Sequence, residues 1–128
     1  MMTKTRVLIL EDEPNIVESL SFILRRAGFE VDTVIHGEEA LDRLRHQSFS
    51  ILILDIMLPG MSGFDVLQAI RSDRALAALP VIVLTAKGQA NDRRMAEAGG
   101  ASAFITKPFS NIEVVEHVSR LTAGTVEK

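Results

Sequence analysis

The chain contains no cysteine, so disulfides and thiolate metal sites are excluded from the start. It also lacks any long apolar run. Behind Met1-Met2-Thr3-Lys4-Thr5-Arg6 the hydrophobic stretch is four residues long and meets three acids. That is too short for the apolar core of a signal peptide, and no stretch approaches membrane-spanning length. A cytoplasmic protein without a membrane contact is expected. An excess of positive charge is missing as well: 14 basic and 17 acidic residues give a net charge of −3. The basic side chains fall in scattered pairs, Arg25-Arg26 and Arg93-Arg94, which read as solvated helix faces. Direct nucleic-acid binding needs clustered cations and is not expected. His36, His46 and His117 show no metal-ligand spacing and no nucleophile partner, and read as surface residues.

Repeats, linkers and low-complexity stretches are also absent. At 128 residues the chain fits one domain, residues 1–128, with a core over about 5–122 and a short polar tail from Thr122. No output module follows the last helix, so a stand-alone domain is expected.

What is present is an alternation of short buried strands and amphipathic helices. Residues 6–10 are continuous, β-branched and apolar, the pattern of a strand covered on both faces. Pro14 suits the first turn of a helix, in which Ile16, Leu20, Ile23 and Leu24 recur at helical spacing before Gly28 closes it. Residues 29–34 alternate enough for a strand at a sheet edge. Residues 37–45, with Ala40, Leu41 and Leu44 inward, form a second helix. Residues 51–54 make the third strand, and 64–72 the third helix with Phe64, Leu67 and Ile70 inward.

Pro80 introduces a fourth strand, where a first-residue proline is tolerated. A more polar helix spans about 88–98 with Met95 and Ala98 as its apolar positions, and Gly99-Gly100 ends it. Residues 102–105 are a fifth strand. Ser110 caps a last helix with Ile112, Val115, Val118 and Leu121 inward. The fold class is α/β: a (βα)₅, doubly wound, five-stranded parallel sheet with helices on both faces.

In such a sheet the C-terminal ends of the strands share the edge where ligands bind. Four apolar runs deliver chemistry there. The first runs into Glu11-Asp12-Glu13, the third into Asp55, the fourth into Thr85-Ala86, and the fifth into Lys107-Pro108. Carboxylates, a hydroxyl and an ammonium at one edge can hold a divalent cation and transfer a phosphoryl group. Each residue has a plainer reading. Asp55 could cap a loop, one acid of the triplet could favour the following helix, and Thr85 and Lys107 could be an ordinary strand residue and a surface cation. Three acids are more than helix capping needs, and anions packed beside Asp55 repel unless a cation bridges them. Oxygen donors with room for water suit Mg²⁺.

Taken in order, these residues resemble the receiver domain of two-component response regulators, over nearly the whole chain. That family carries an acidic pair after strand one, a phospho-accepting Asp after strand three, Ser or Thr after strand four and Lys-Pro after strand five. The loop Asp55-Ile56-Met57-Leu58-Pro59-Gly60-Met61-Ser62-Gly63 is highly specific to it. The resemblance implies a flavodoxin-like topology and a phosphoryl group on Asp55. It implies Mg²⁺ held by Asp12, Asp55 and the backbone carbonyl of Met57, with Glu11 acting through water and Glu13 facing solvent. Thr85 and Lys107 would bind phosphoryl oxygens, and family members often have a cis Lys-Pro bond at Lys107-Pro108. Thr85 and Phe104 would form the switch, changing the surface of the fourth helix, fifth strand and fifth helix.

The implied partners are a sensor histidine kinase or histidine phosphotransfer protein, an unidentified downstream protein, and a second copy of the chain in a phosphorylation-dependent homodimer. The implied activity is not that of an enzyme with turnover: the domain catalyses its own phosphorylation and its slow dephosphorylation. Apolar Met57 and cationic Lys87 flank the expected approach of water, so a long-lived phosphorylated form is expected.

Two other classes fit less well. An aspartyl-phosphate phosphatase needs a second acid two residues after the nucleophile, where this chain has Met57. A nucleotide or flavin binder needs a Gly/Ser/Thr-rich loop after strand one, where this chain has Glu-Asp-Glu. A degenerate receiver would have lost one of these chemical positions, and all are filled.

Overall fold

The computed structural model describes residues 4–58, 60–86 and 90–126. Strands β1 (Arg6–Leu10), β2 (Glu30–Val34), β3 (Ile51–Asp55), β4 (Val81–Ala86) and β5 (Ala103–Lys107) alternate with helices α1 (Pro14–Arg26), α2 (Gly37–His46), α3 (Gly63–Ser72), α4 (Ala90–Ala98) and α5 (Asn111–Val126). All pairings are parallel, and the spatial order is β2-β1-β3-β4-β5. This is the doubly wound (βα)₅ sheet expected, with β2 at an edge.

The continuous apolar strands follow from having helices on both faces. Successive side chains point to opposite sides, so Leu8, Leu10, Leu52 and Leu54 enter one core with α2, α3 and Ala96 of α4. Val7, Ile9, Ile51 and Ile53 enter the other with α1 and α5. Chain order reverses between β1 and β3, which leaves a crevice beyond their C-terminal ends.

The N-terminal ends of the strands are held by charge. Asp32 Oδ2 accepts from Arg6 Nη2 at 2.7 Å and from Arg43 Nη2 at 2.6 Å. Both guanidinium groups also lie over the Phe49 ring, 4.4 and 5.6 Å from its centroid. At the β2 edge, Arg25 donates to the carbonyl of Val31 at 3.1 Å.

Several sequence expectations are corrected. Phe29 is outside β2, because its N–H closes the end of α1 by donating to the Leu24 carbonyl at 3.1 Å. In α3, Val66 is buried beside Leu67 and Ile70 while Phe64 is half-buried. In α4 the buried residue is Ala96; Met95 and Ala98 are exposed, since the helix rests on the sheet through its small side chain. The expected start of that helix near Gly88 lies outside the described residues.

In α5 the inward line is Val114, Val118 and Thr122, at i, i+4 and i+8, and Ile112 is 78% exposed. Thr122 therefore belongs to the packed helix and not to a polar tail. Its hydroxyl can be buried because it donates to the Val118 carbonyl at 2.7 Å. His36 and His46 are exposed, whereas His117 is half-buried and takes Arg120 Nη2 at 2.8 Å from its Nδ1.

Candidate phosphoryl-transfer site

The turn after β1 treats its adjacent acids differently. Glu11 is fully buried, with Asp12 and Glu13 exposed. The Glu11 backbone N–H still donates to Val34 of β2, so the residue continues the strand and its side chain folds inward. Its Oε2 accepts from the Glu13 N–H at 3.1 Å. Its Oε1 is buried without a hydrogen-bond partner, 3.7 Å from the Lys107 ammonium.

Asp55 ends β3 and is 4% exposed. Its Oδ1 accepts from the Met57 N–H at 3.1 Å, and Lys107 Nζ donates to its Oδ2 at 3.0 Å. The chain then turns back over it. The Gly63 N–H donates to the Ile56 carbonyl at 3.1 Å, and a Cβ on Gly63 would lie 2.6 Å from the Asp55 carbonyl oxygen. Only glycine fits this approach. Ser62 then starts α3 through a capping box with Asp65.

One carboxylate oxygen from each of Glu11, Asp12 and Asp55 lies within 4.8 Å of the others. Lys107 is the cation that two of these groups touch. Burial pushes the Glu11 carboxyl up to about 7, and the negative charge of Asp55 adds to the shift. The Glu13 N–H and the charge of Lys107 act the other way. A buried carboxylate oxygen with no donor, inside a set of hard oxygen ligands, fits a small divalent cation.

Thr85, near the end of β4, is buried beside this cluster and pairs in register with Thr106. Asp55, Met57, Thr85 and Lys107 line one cleft of about 160 Å³ with Ile56, Leu84, Ala86 and Asp92. Met57 is 72% exposed. Phe104, on β5, is half-buried with Arg93 of α4 over its ring at 4.9 Å. The Lys107-Pro108 peptide bond is cis. Lys87, named from the sequence as flanking the approach of water, lies outside the described residues.

The structure thus gathers Glu11, Asp12, Asp55, Thr85 and Lys107 at one sheet edge, with Phe104 further back on β5. The sequence reading missed two residues. Gly63 was noted only as part of a loop. Asp92 sits in the first turn of α4, where an acid passes as ordinary helix-terminal charge.

Comparison with known proteins agrees with this geometry. The response regulator receiver domain family matches residues 7–119, and the chain belongs to it. The Rhizobium meliloti phosphate regulon transcriptional regulatory protein PhoB is 38% identical, with 91% of this chain and 51% of that protein aligned. The sensory transduction protein RegX3 of Mycolicibacterium smegmatis is 40% identical over 89% of this chain and 49% of its own length. The chain therefore spans about half the length of these curated relatives. Among solved structures, the receiver domain of a Syntrophus aciditrophicus signal transduction histidine kinase superposes with a TM-score of 0.89 at 31% identity, covering 97% of this chain and 94% of that one. The receiver domain of the Pseudomonas aeruginosa sensor histidine kinase PA1611, solved with magnesium in its active-site cleft, gives 0.88 at 26% identity, covering 94% and 99%. A phosphoacceptor role is general to the family. Among the described residues no helix is long and apolar enough to cross a membrane.

Proposed function

We propose that this domain is a phosphorylation-activated switch in cytoplasmic two-component signalling, with Asp55 as the phosphoacceptor. The single observation that carries the reading is the pairing of a nearly buried Asp55 with Lys107 inside a carboxylate cluster that holds an unpartnered Glu11 oxygen. A partner histidine kinase or phosphotransfer protein presents a phosphohistidine. A carboxylate oxygen of Asp55 attacks phosphorus, and the P–N bond breaks. Its electron pair returns to the imidazole, which takes up a proton, and an acyl phosphate remains on Asp55.

Lys107 pairs with the carboxylate before transfer and binds a phosphoryl oxygen after it, as a mobile point charge suits. The Thr85 hydroxyl donates to a second oxygen. Asp12, Asp55 and the Met57 carbonyl would hold Mg²⁺ directly, with Glu11 acting through water. When bound, Mg²⁺ supplies the positive charge that makes a phosphoryl group tolerable beside three acids. The same positioned groups allow slow self-catalysed hydrolysis, without turnover of any other substrate. Thr85 and Phe104 then bias the α4–β5–α5 surface between two packings, for docking to a downstream protein or to a second copy.

The test is incubation with Mg²⁺ and acetyl phosphate. One hydroxylamine-labile phosphoryl group per chain is expected, and none on Asp55→Asn. Undiminished labelling of that variant would overturn the assignment.

A further inference from the structure

The chain carries no cysteine, tryptophan or tyrosine. A two-electron oxidant such as a peroxide therefore finds no thiolate, and the methionine thioethers are its first targets. The described methionines differ in access. Met61 is half-buried against the start of α2, where a Cβ on Gly37 would lie 3.3 Å from its Sδ. Met95 is 49% exposed, and its Sδ accepts from Asn91 Nδ2 at 3.8 Å, which engages a sulfur lone pair. Met57 is more open than either.

Met57 is also placed where a change of polarity matters. Its N–H is bound to Asp55 Oδ1 at 3.1 Å, which fixes the backbone. Its unbranched, exposed side chain lines the cleft of Asp55, Thr85 and Lys107. Ile56, Leu84 and Ala86 make other parts of that wall apolar. A polar atom added to Met57 therefore alters the route by which water reaches the reacting group.

We propose that Met57 is a reversible oxidation site: conversion of its thioether to the sulfoxide shortens the life of the phosphoryl group on Asp55. The inference rests on the phosphoacceptor reading of Asp55 and names a regulation of that site. A sulfur lone pair attacks one oxygen of hydrogen peroxide. The S–O bond forms, the O–O bond breaks, and the proton on the transferred oxygen passes to the departing one, which leaves as water. Sulfur loses two electrons and the peroxide gains them. The apolar shield becomes a neutral, strongly dipolar acceptor. Lys107 and bound Mg²⁺ offset the phosphoryl charge, so the oxygen end of this dipole is tolerated in the cleft. That oxygen accepts from the attacking water and aligns it, although it is too weak a base to take the proton. Met57 thus acts as a positioning residue only once it is oxidised.

The test begins with unphosphorylated protein treated with hydrogen peroxide and then catalase, its sulfoxides located by peptide mass. The protein is phosphorylated with acetyl phosphate, and single-turnover decay is followed after removal of the donor. A sulfoxide oxygen is also a hard donor for Mg²⁺, so decay is read at Mg²⁺ saturating for both forms. Each protein is its own reference, the readout being the decay rate after oxidation divided by that before. Met57 sulfoxide is expected to form ahead of Met61 sulfoxide. The ratio is expected to be about threefold or more in the parent and in Met95→Leu, within the ~10²-fold reach of a positioned polar group. It should stay near one in Met57→Leu, and return to one in the parent after a methionine sulfoxide reductase and a dithiol restore the thioether. If Met57→Leu takes no phosphoryl group, the parent decides alone, through the match between decay rate and the fraction of Met57 sulfoxide. A parental ratio of one or below would overturn the proposal. So would equal acceleration in Met57→Leu, acceleration that survives reduction, or oxidation of Met61 ahead of Met57. Absence of any phosphoryl group on the untreated parent would instead overturn the phosphoacceptor reading.

Discussion

Lys107 reaches Asp55 across a strand that separates them: β4 lies between β3 and β5, yet Nζ sits 3.0 Å from Oδ2. The long flexible stem makes this possible, and it places a cation where two buried acids would otherwise repel. Lys107→Ala should slow phosphorylation by acetyl phosphate on the order of 10²-fold. Lys107→Arg should recover only part of the rate, because a planar fork does not replace a compact ammonium. Labelling half-times at fixed Mg²⁺ measure both, and a parental rate in Lys107→Ala would remove the residue from the reaction.

The close approach of Gly63 to the Asp55 backbone makes a second prediction. In Gly63→Ala the new methyl meets the Asp55 carbonyl oxygen at 2.6 Å and the Ile56 Cα at 2.7 Å, neither of which can rotate away. A loss of about 1–3 kcal/mol is expected, with slower phosphorylation because Asp55 is displaced. Urea midpoints and labelling rates should fall together.

Glu11 sets a pH dependence. Its carboxyl is raised from an ordinary 4.5 to about 7 in the folded protein. Below pH 4.5 both folded and unfolded chains hold the proton and no stability is lost. Between there and about 7 the unfolded chain releases it first, so folding loses roughly 3 kcal/mol as pH rises, and nothing further above. In chelator, urea stability of Glu11→Gln should lack this downward slope relative to the parent. Mg²⁺ requires the carboxylate form, so its affinity should rise over the same interval. Asp12→Asn should weaken Mg²⁺ binding, whereas Glu13→Gln, exposed and outside the cluster, should leave it nearly unchanged.

Met57 is expected to lengthen the lifetime of the phosphoryl group. It borders the cleft with Asp55 and offers an attacking water only a weak thioether acceptor. Met57→Asn should hydrolyse its phosphoryl group several-fold faster in single-turnover decay, within the ~10²-fold reach of a positioned polar group. An unchanged or slower decay would show that shielding by Met57 is not what preserves the phosphoryl group.

The inner strands β1, β3 and β4 were legible because burial on both faces writes them as nearly unbroken apolar runs, whereas edge strand β2 alternates and its start was misplaced at Phe29. The helix faces were less legible. In α5, Ile112, Val114, Val115, Val118 and Leu121 satisfy more than one helical line, and only contact with Ile82, Ala103 and Ile105 selects Val114 and Val118. In α4 the only inward side chain is an alanine, which leaves almost no pattern. At the site, chemical identities were readable but depth was not. Glu11 and Asp12 are neighbours of like charge, and the turn after β1 alone decides that the first is buried. Asp92 lies seven residues past Thr85, and only tertiary folding brings it back to the same cleft.

The Arg6–Asp32–Arg43 clamp over Phe49 sits at the opposite end of the strands from Asp55. Four residue steps along β1 separate the two ends by roughly 13 Å. Changes at that distance with no shared partner add independently in free energy. One end of the sheet thus works as a foundation and the other as a workbench. Stabilising substitutions around Phe49 can raise the melting temperature without retuning phosphoryl transfer, and the buried, underpartnered Glu11 carboxylate can persist because the foundation carries it.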